Sequence, residues 1–446
     1  MDKFSPTDLA NWTGGAWRDS RVAEGIGGFC FDARNLCKGD CFVALTHGNR
    51  DGHEFVGQAM AQGASAALVE RPLDLSIPQL QVRDTLLAME AIACAVRQRF
   101  DGSVVGITGS CGKTSTKEML RLLLGDRCCH ATAGNWNNRV GVPMTLYGLG
   151  AQDYAVIETG INEPDEMVHL GRMIAANLVL VTNVGAAHLE KLQSLERIAA
   201  EKSELMGQAS PDARLLLPAA TFKFAAFQRF ASQAIVLAEV EETVDGPEPR
   251  EVVRYERTSE GIRILGTNFT VHSASAGIRC NAALAILAAQ QLGIGIEDIR
   301  ERLGLWEPEA SRGRVVAGSG QTFYIDCYNA NPDSMLDALA AFQRSVPVSQ
   351  SRGYVLGAMN ELGDTAVDLH RKVGQAIQLR EEDRVWLVGP ESLTAAYCDG
   401  LPVVDRRVLA VDSIEKIKSE VAEFHGALFL KGSRSYALEQ LLPNTL

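Results

Sequence analysis

An α/β chain built from three units is what the sequence predicts, and three observations predict it. A glycine-rich turn, GITGSCGKTSTKEML at residues 106–120, lies between a short apolar run (Val104, Val105) and a helical pattern. Around it, short apolar runs alternate with helical stretches, the order that builds a parallel sheet. At 446 residues the chain is too long for one hydrophobic core and divides into domains.

The first unit, residues 1–83, reads as small and mixed α/β. Runs 42–45 and 66–69 are its strands, and 57–63 lies in a helical stretch. A helix over 86–100 then leads into the strand before the glycine-rich turn, which places a boundary near Arg83. The central unit, 84–312, carries further buried strands at 154–157 and 178–181. The polar, charge-rich segment 239–263 reads as a peripheral antiparallel section, followed by a helix over 281–292. The hinge-like ASRGRV at 310–315 opens the third unit, 313–446, with strands near 322–325, 354–356, 385–388 and 428–430 and helices between them. It reads as a second, smaller doubly wound domain.

Strand, glycine-rich turn and helix in that order make a phosphate site, because loop N–H groups and the helix N-terminus point at one anion. Thr108, Gly109, Ser110, Cys111, Gly112, Lys113, Thr114 and Ser115 form the expected ATP loop. Lys113 would reach the terminal phosphates and the Thr114 hydroxyl a Mg²⁺. The usual G-x-x-x-x-G-K-[ST] spacing needs glycine where Ile107 stands, so the loop is a variant with Gly106, Gly109 and Gly112.

Ligands of open parallel sheets bind at the carboxyl ends of the strands. There, YAVIETG delivers Glu158 and VLVTNVGAAHLE runs into His188. With Thr114 they offer a hydroxyl, a carboxylate and an imidazole to hard cations bridging ATP phosphates. Asn135, Asn137 and Asn138 in GNWNNRVGVPMTL either bind phosphate or a polar substrate, or satisfy tight turns. Lys202 lies in ERIAAEKSELMGQ among Glu196, Glu201 and Glu204, and on its own residues this is a solvated, salt-bridged face.

Composition narrows the class. A net charge of −12 argues against nucleic acid or an anionic membrane as the main partner. No apolar run reaches membrane-spanning length, and MDKFSPTDLANW has no basic-then-apolar signal region, so a cytoplasmic chain is expected. The ten cysteines are scattered with no C-x-x-C pair, which fits buried or incidental thiols.

TGSCGKTSTKE, GNWNNRVGVP, ETGINEPDEM, TNVGAAHLE and AAEKSEL together resemble the ATP-dependent Mur ligases of peptidoglycan synthesis, in that family's order. DARNLCKGDCFVALTHGNRDGHEF resembles the family's UDP-binding unit, with Asp32, Arg34, Asp51, Gly52 and His53 matching. YIDCYNANPDSM, GAMNELGD and LKGSRS are similar to the branch that adds the terminal dipeptide, and the D-N-P-R motif of the preceding diamino-acid-adding branch is absent. The resemblance implies an N-terminal UDP-substrate domain, a central ATP-binding domain and a C-terminal Rossmann-like domain. It implies an ADP-forming ligase that joins D-alanyl-D-alanine to a UDP-N-acetylmuramoyl-tripeptide through an acyl phosphate, acting as a monomer. The implied cofactors are two Mg²⁺, one on Thr114 and Glu158 and one on His188. Lys202 would be carbamylated by CO₂ to become an anionic metal ligand, which needs a lowered amine pKa. Asn281, Arg314 and Asp326 are assigned to the nucleotide, with Tyr328, Asn329, Asn331, Lys431, Ser433 and Arg434 facing the reacting groups or the incoming dipeptide. Three positions depart from the family. Gly277-Ile278-Arg279-Cys280 replaces His-Asn before Asn281, Ala358 replaces an aspartate, and Ala33 replaces a hydroxyl residue. A folylpolyglutamate synthase-like ligase shares the loop and architecture, but the UDP-like unit and KGSRS argue against it. An ATP-binding scaffold without ligase activity has only Ala358 and the altered His-Asn position in its favour.

Overall fold

The structure, a computed structural model, describes residues 4–18, 25–125, 128–318 and 320–443. Its strands group into three main sheets. In the first unit β1 (Ala16–Trp17), β2 (Phe29–Cys30), β3 (Cys41–Val43), β6 (Ala66–Val69) and β7 (Gln79–Gln81) form a sheet in the order β1-β7-β6-β3-β2, and β4 (Thr46–His47) with β5 (Arg50–Asp51) forms a separate ladder. All neighbours in that sheet run parallel except β1 with β7.

The central sheet holds β8 (Ser103–Thr108), β9 (Cys129–Ala131), β10 (Tyr154–Glu158), β11 (Leu178–Val181), β12 (Arg214–Pro218), β13 (Ala234–Glu239), β14 (Glu251–Arg257), β15 (Gly261–Ile264) and β16 (Thr267–Thr270). Their order is β16-β15-β14-β13-β12-β11-β8-β10-β9. Alternate residues of one strand point to opposite faces, and the core divides accordingly. Val104, Ala155, Ile157, Val179 and Val181 join one cluster, while Val105, Ile107, Val156, Leu178 and Leu180 join the other. Burial on both faces explains why these strands read as continuous apolar runs. The first cluster continues through helix Thr85–Gln98 to Leu9, Phe29, Val43 and Leu68, so the N-terminal and central units share packing.

Segment 239–263 departs from expectation. β14 runs parallel to β13, and antiparallel pairing begins only between β14 and β15. Val253 and Tyr255 pack inward while their neighbours are exposed. That alternation marks a half-exposed strand without fixing its direction.

The third sheet contains β17 (Arg314–Ala317), β18 (Gln321–Asp326), β19 (Arg352–Gly357), β20 (Arg384–Val388), β21 (Val408–Val411) and β22 (Gly426–Lys431), ordered β17-β18-β22-β19-β20-β21. It is parallel apart from β17 with β18. The two edge strands, β17 and β21, are the ones sequence reading omits; both are short and largely exposed.

Register places the chemistry. On β8, Ile107 pairs with Glu158 of β10 and Thr108 with Val181 of β11, so all three strands end at one edge. In the third sheet Asp326 and Lys431 are direct partners at the parallel ends of β18 and β22.

Candidate active site

The phosphate loop bridges β8 and helix Lys113–Leu124, which begins at Gly112 with a left-handed φ of 79°. Glycine is required there twice over. A Cβ on Gly112 would lie 2.3 Å from the Asn281 Nδ2, and one on Gly109 would lie 1.8 Å from the Thr182 hydroxyl. The odd glycine spacing is therefore the imprint of close neighbours on the loop.

Asn183, which sequence reading passed over, accepts from the Ser110 and Cys111 N–H groups, both at 3.0 Å. The Ser110 hydroxyl donates to the Gly185 carbonyl at 2.9 Å. Lys113 Nζ donates to the Gly109 carbonyl at 2.8 Å, and burial pushes its pKa down. The Cys111 thiol is pushed up to about 11 by burial, which keeps it an unreactive thiol. Thr108 is buried beneath the loop.

Glu158 is buried and accepts from the Thr114 hydroxyl at 2.9 Å and from Asn137 Nδ2 at 2.8 Å. Lys117, one helical turn after Lys113, is fully buried and stands 4.0 Å from Glu158 while donating to the Thr132 carbonyl at 2.8 Å. Its spacing of four from Lys113 was the signal available in the sequence. The asparagine loop divides its labour. Asn138 accepts from the N–H groups of Val140 and Gly141 and so satisfies a turn, whereas Asn137 meets the buried carboxylate. Asn135 lines the same cavity.

His188 and Glu361 are two non-glycine residues with left-handed φ, 58° and 62°, and their side chains meet at 2.5 Å across the central and third units. Strained backbone at a junction of this kind is typical of functional sites. Burial lowers the His188 pKa against the opposing pull of Glu361. Lys202 corrects the solvated-face reading: it is 2% exposed, on the inner side of helix Leu195–Gly207. Burial first, then the Lys113 charge, push its pKa well below the usual lysine range. Glu201 and Glu204 turn outward instead, accepting from the Asp165 and Met167 N–H groups and from Arg229.

The third unit closes the far wall of a cavity of about 590 Å³. Asn331 caps helix Pro332–Ser345 in a capping box and reaches the Ser110 carbonyl at 3.5 Å. Lys431, fully buried, donates to Asp326 at 2.7 Å and to the Asn329 carbonyl at 3.2 Å. Asp337 accepts from the Ser275 hydroxyl and from the N–H groups of Ala276 and Gly277, so a residue of the third unit caps helix Ala276–Gln291 of the central one. Asn281 lines the cavity, as does Ser115.

Several expected residues lie elsewhere. Arg314 starts the exposed edge strand β17, outside the cavity, and Arg312 lines the cavity in its place with its guanidinium 3.9 Å from the Tyr328 ring centre. Arg434 is turned to solvent and pairs with Glu439 at 2.6 Å, while Ser433 is buried and accepts from the Asn360 N–H at 3.0 Å. In the first unit Asp32 caps the short turn Ala33–Asn35 and is held near about 2 by Arg34, with which it pairs at 2.7 Å. Asp51 accepts from His53 Nδ1 at 2.6 Å and from Arg71 at 2.6 Å. His53 is buried and its Nε2 accepts from the Glu70 N–H at 2.9 Å, so both ring nitrogens serve the fold.

A family model described as the Mur ligase middle domain matches residues 107–289, and one described as the Mur ligase, glutamate ligase domain matches 311–434. A UDP-N-acetylmuramoyl-tripeptide–D-alanyl-D-alanine ligase of Treponema pallidum is 31% identical over 95% of this chain and 95% of its own. The chain belongs to the Mur ligase family. The ligase of the same description from Escherichia coli K12 is 34% identical over 92% of each chain. A crystal structure of MurF from Acinetobacter baumannii superposes with a TM-score of 0.85 at 27% identity, covering 99% of this chain and 98% of that one. As a Mur ligase, the chain has the three-part α/β architecture read from its sequence. What sequence reading missed are partners held by tertiary placement: Asn183, Lys117, Arg312, Asp337, Glu361 and Asp333, which accepts from the Ala186 N–H at 3.3 Å. Of these, Asp337 alone sat outside the quoted segments.

Proposed function

We propose that this Mur ligase joins the amine of D-alanyl-D-alanine to the terminal carboxylate of a UDP-N-acetylmuramoyl-tripeptide, with ATP converted to ADP and phosphate. One observation carries the reading: the phosphate loop and the buried Lys431–Asp326 pair face each other across a single cavity. The tripeptide carboxylate oxygen attacks the γ-phosphorus and ADP leaves, giving an acyl phosphate. The dipeptide amine then attacks that carbonyl, an amide bond forms, and inorganic phosphate departs with loss of the amine proton. Residues 1–83 would hold the UDP end, 84–312 the ATP, and 313–446 would complete the site and receive the dipeptide.

Catalysis of this kind is mostly positioning and charge neutralisation. Lys113 releases the Gly109 carbonyl to reach the terminal phosphates, while Lys117 and Asn137 hold Glu158 in place. Arg312 stacked on Tyr328 offers a flat cationic surface in the cavity that Asn281 also lines. Lys431 is placed to neutralise charge that develops near Asp326. Closure of the third unit keeps water from the acyl phosphate.

The donor set fits Mg²⁺. The Thr114 hydroxyl and the Glu158 carboxylate are hard oxygen ligands already in contact, and His188 would join them by leaving Glu361. Lys202 fits carbamylation because burial favours the neutral amine that CO₂ requires. Bound there, the cations would supply charge neutralisation at the phosphates. No helix among the described residues is long and apolar enough to cross a membrane, which accords with action in the cytoplasm on soluble nucleotide-linked precursors. We expect a monomer, which sedimentation would check.

The test is coupled ADP release across a panel of UDP-muramoyl tripeptides carrying different diamino acids. Release should require both the UDP-tripeptide and the dipeptide, and should vanish in Lys113→Ala. Turnover that persists in that variant, or steady ATP binding with no amide product, refutes the reading.

A further inference from the structure

Two large aromatic side chains from different units meet in the open. Phe31 follows β2 and is 38% exposed; Trp136 sits in the asparagine loop and is 43% exposed. Their ring centres are 6.2 Å apart and the rings are tilted by 51°, which leaves an open wedge instead of a stacked pair. Exposed aromatics in contact are unusual on a folded surface unless something covers them.

Their backbone is held firmly. The Trp136 N–H donates to the Ala133 carbonyl at 3.2 Å, and Gly141 packs so close that a Cβ there would lie 2.5 Å from the Trp136 carbonyl carbon. On the other side, Asp32 next to Phe31 caps a turn and pairs with Arg34. The loop thus works in two directions. Asn135, Asn137 and Asn138 line the nucleotide cavity, Asn137 touching Glu158 at 2.8 Å, while Trp136 between them turns to the N-terminal unit.

We propose that the Phe31–Trp136 wedge is a specificity element that grips the aliphatic junction between sugar and peptide, the lactyl ether and the first alanine methyl. This rests on the ligase reading above, since a substrate with its UDP end on the N-terminal unit and its carboxylate at Glu158 crosses the junction of the two units, where Phe31 and Trp136 meet. Trp136 adjoins Asn137, which touches Glu158 at 2.8 Å, and three extended residues span roughly 10 Å, a reach suited to a peptide whose carboxylate is near Glu158 and whose sugar end meets the rings. Small apolar groups suit a tilted pair, because both ring faces can cover them without a flat partner.

The test uses the full chain and separates this idea from its parent. In steady state, Trp136→Ala and Phe31→Ala should each raise KM for the UDP-tripeptide about tenfold. The KM values for ATP and dipeptide should stay within about twofold, and Trp136→Phe should restore most of the loss. Trp136 should also report binding directly. Without ATP, UDP-N-acetylmuramoyl-tripeptide should change the fluorescence that wild type loses in Trp136→Phe. UDP-N-acetylglucosamine, which lacks the lactyl ether and peptide, should not change it. An unchanged KM for the UDP-tripeptide overturns the proposal. So does a parallel rise in the ATP KM with a lower melting temperature, which marks the pair as mere glue between units. Should wild type show no substrate-dependent ADP release, the ligase reading fails alone. The fluorescence response then decides the wedge, and its absence sinks it.

Discussion

Asp383→Ala tests whether the third unit depends on one buried charge. Asp383 and Arg352 are 0% and 2% exposed and form a pair at 2.6 Å. The carboxylate accepts from the Arg352 N–H at 2.9 Å, Arg352 Nε at 3.0 Å, Arg352 Nη2 at 2.6 Å and the Arg380 N–H at 2.8 Å. Alanine removes all four acceptor contacts and leaves a buried guanidinium with the Gln378 carbonyl as its other partner. An uncompensated buried charge costs about 3–5 kcal/mol. Arg352→Met is the informative control, because Asp383 then keeps its two backbone donors. It should cost about 2 kcal/mol less than the alanine variant, since each hydrogen bond to a buried group is worth about 1 kcal/mol. Urea unfolding followed by the fluorescence of Trp386, buried on the adjacent strand β20, reads the local unit. With a slope of about 2 kcal/mol per molar, a loss of about 4 kcal/mol lowers the midpoint by about 2 M. A midpoint unchanged to within about 0.3 M, or Arg352→Met proving the worse of the two, would refute the reasoning.

Other outcomes follow from the site. Glu158→Gln keeps acceptor contact with Thr114 but removes the charge, so kcat for ADP release should fall by about 10²–10³ with unchanged circular dichroism. Arg312→Ala should raise the ATP KM about tenfold whereas Arg314→Ala should leave it unchanged, as nucleotide titrations would show. For Lys202 the sign is worked from its depressed pKa. The unfolded chain binds the proton that the folded chain refuses, so wild-type stability should rise with pH between the depressed folded-state pKa and the ordinary lysine value of about 10.4. Lys202→Met should flatten that rise in urea midpoints at increasing pH, remain at least as stable at pH 7 and lose ligase activity. A variant less stable than wild type at pH 7 contradicts the burial argument.

The legible parts of this chain were those governed by local rules. β8, β10 and β11 announced themselves because burial on both faces made them uniformly apolar, and the loop because strand, glycines and helix follow one another in the chain. The edge strands β17 and β21 escaped because an exposed strand needs no apolar pattern. Lys202, which the family resemblance named, escaped the reading of its local residues for the opposite reason. Its helix is bracketed by acids that suggest solvent, yet Glu201 and Glu204 are spent on neighbouring N–H groups and Arg229 while the lysine turns inward. Arg312 and Arg314 show how fine the margin is. They stand two apart in one hinge, and Gly313 between them, with a left-handed φ of 81°, turns the chain so that Arg312 stacks on Tyr328 while Arg314 starts the exposed edge strand. Glu361 is the extreme case: its partner His188 lies far away in sequence, and their union exists only because two sheets present their loops to each other. A site assembled between domains is written in the sequence as fragments, and the order of the strands joins them.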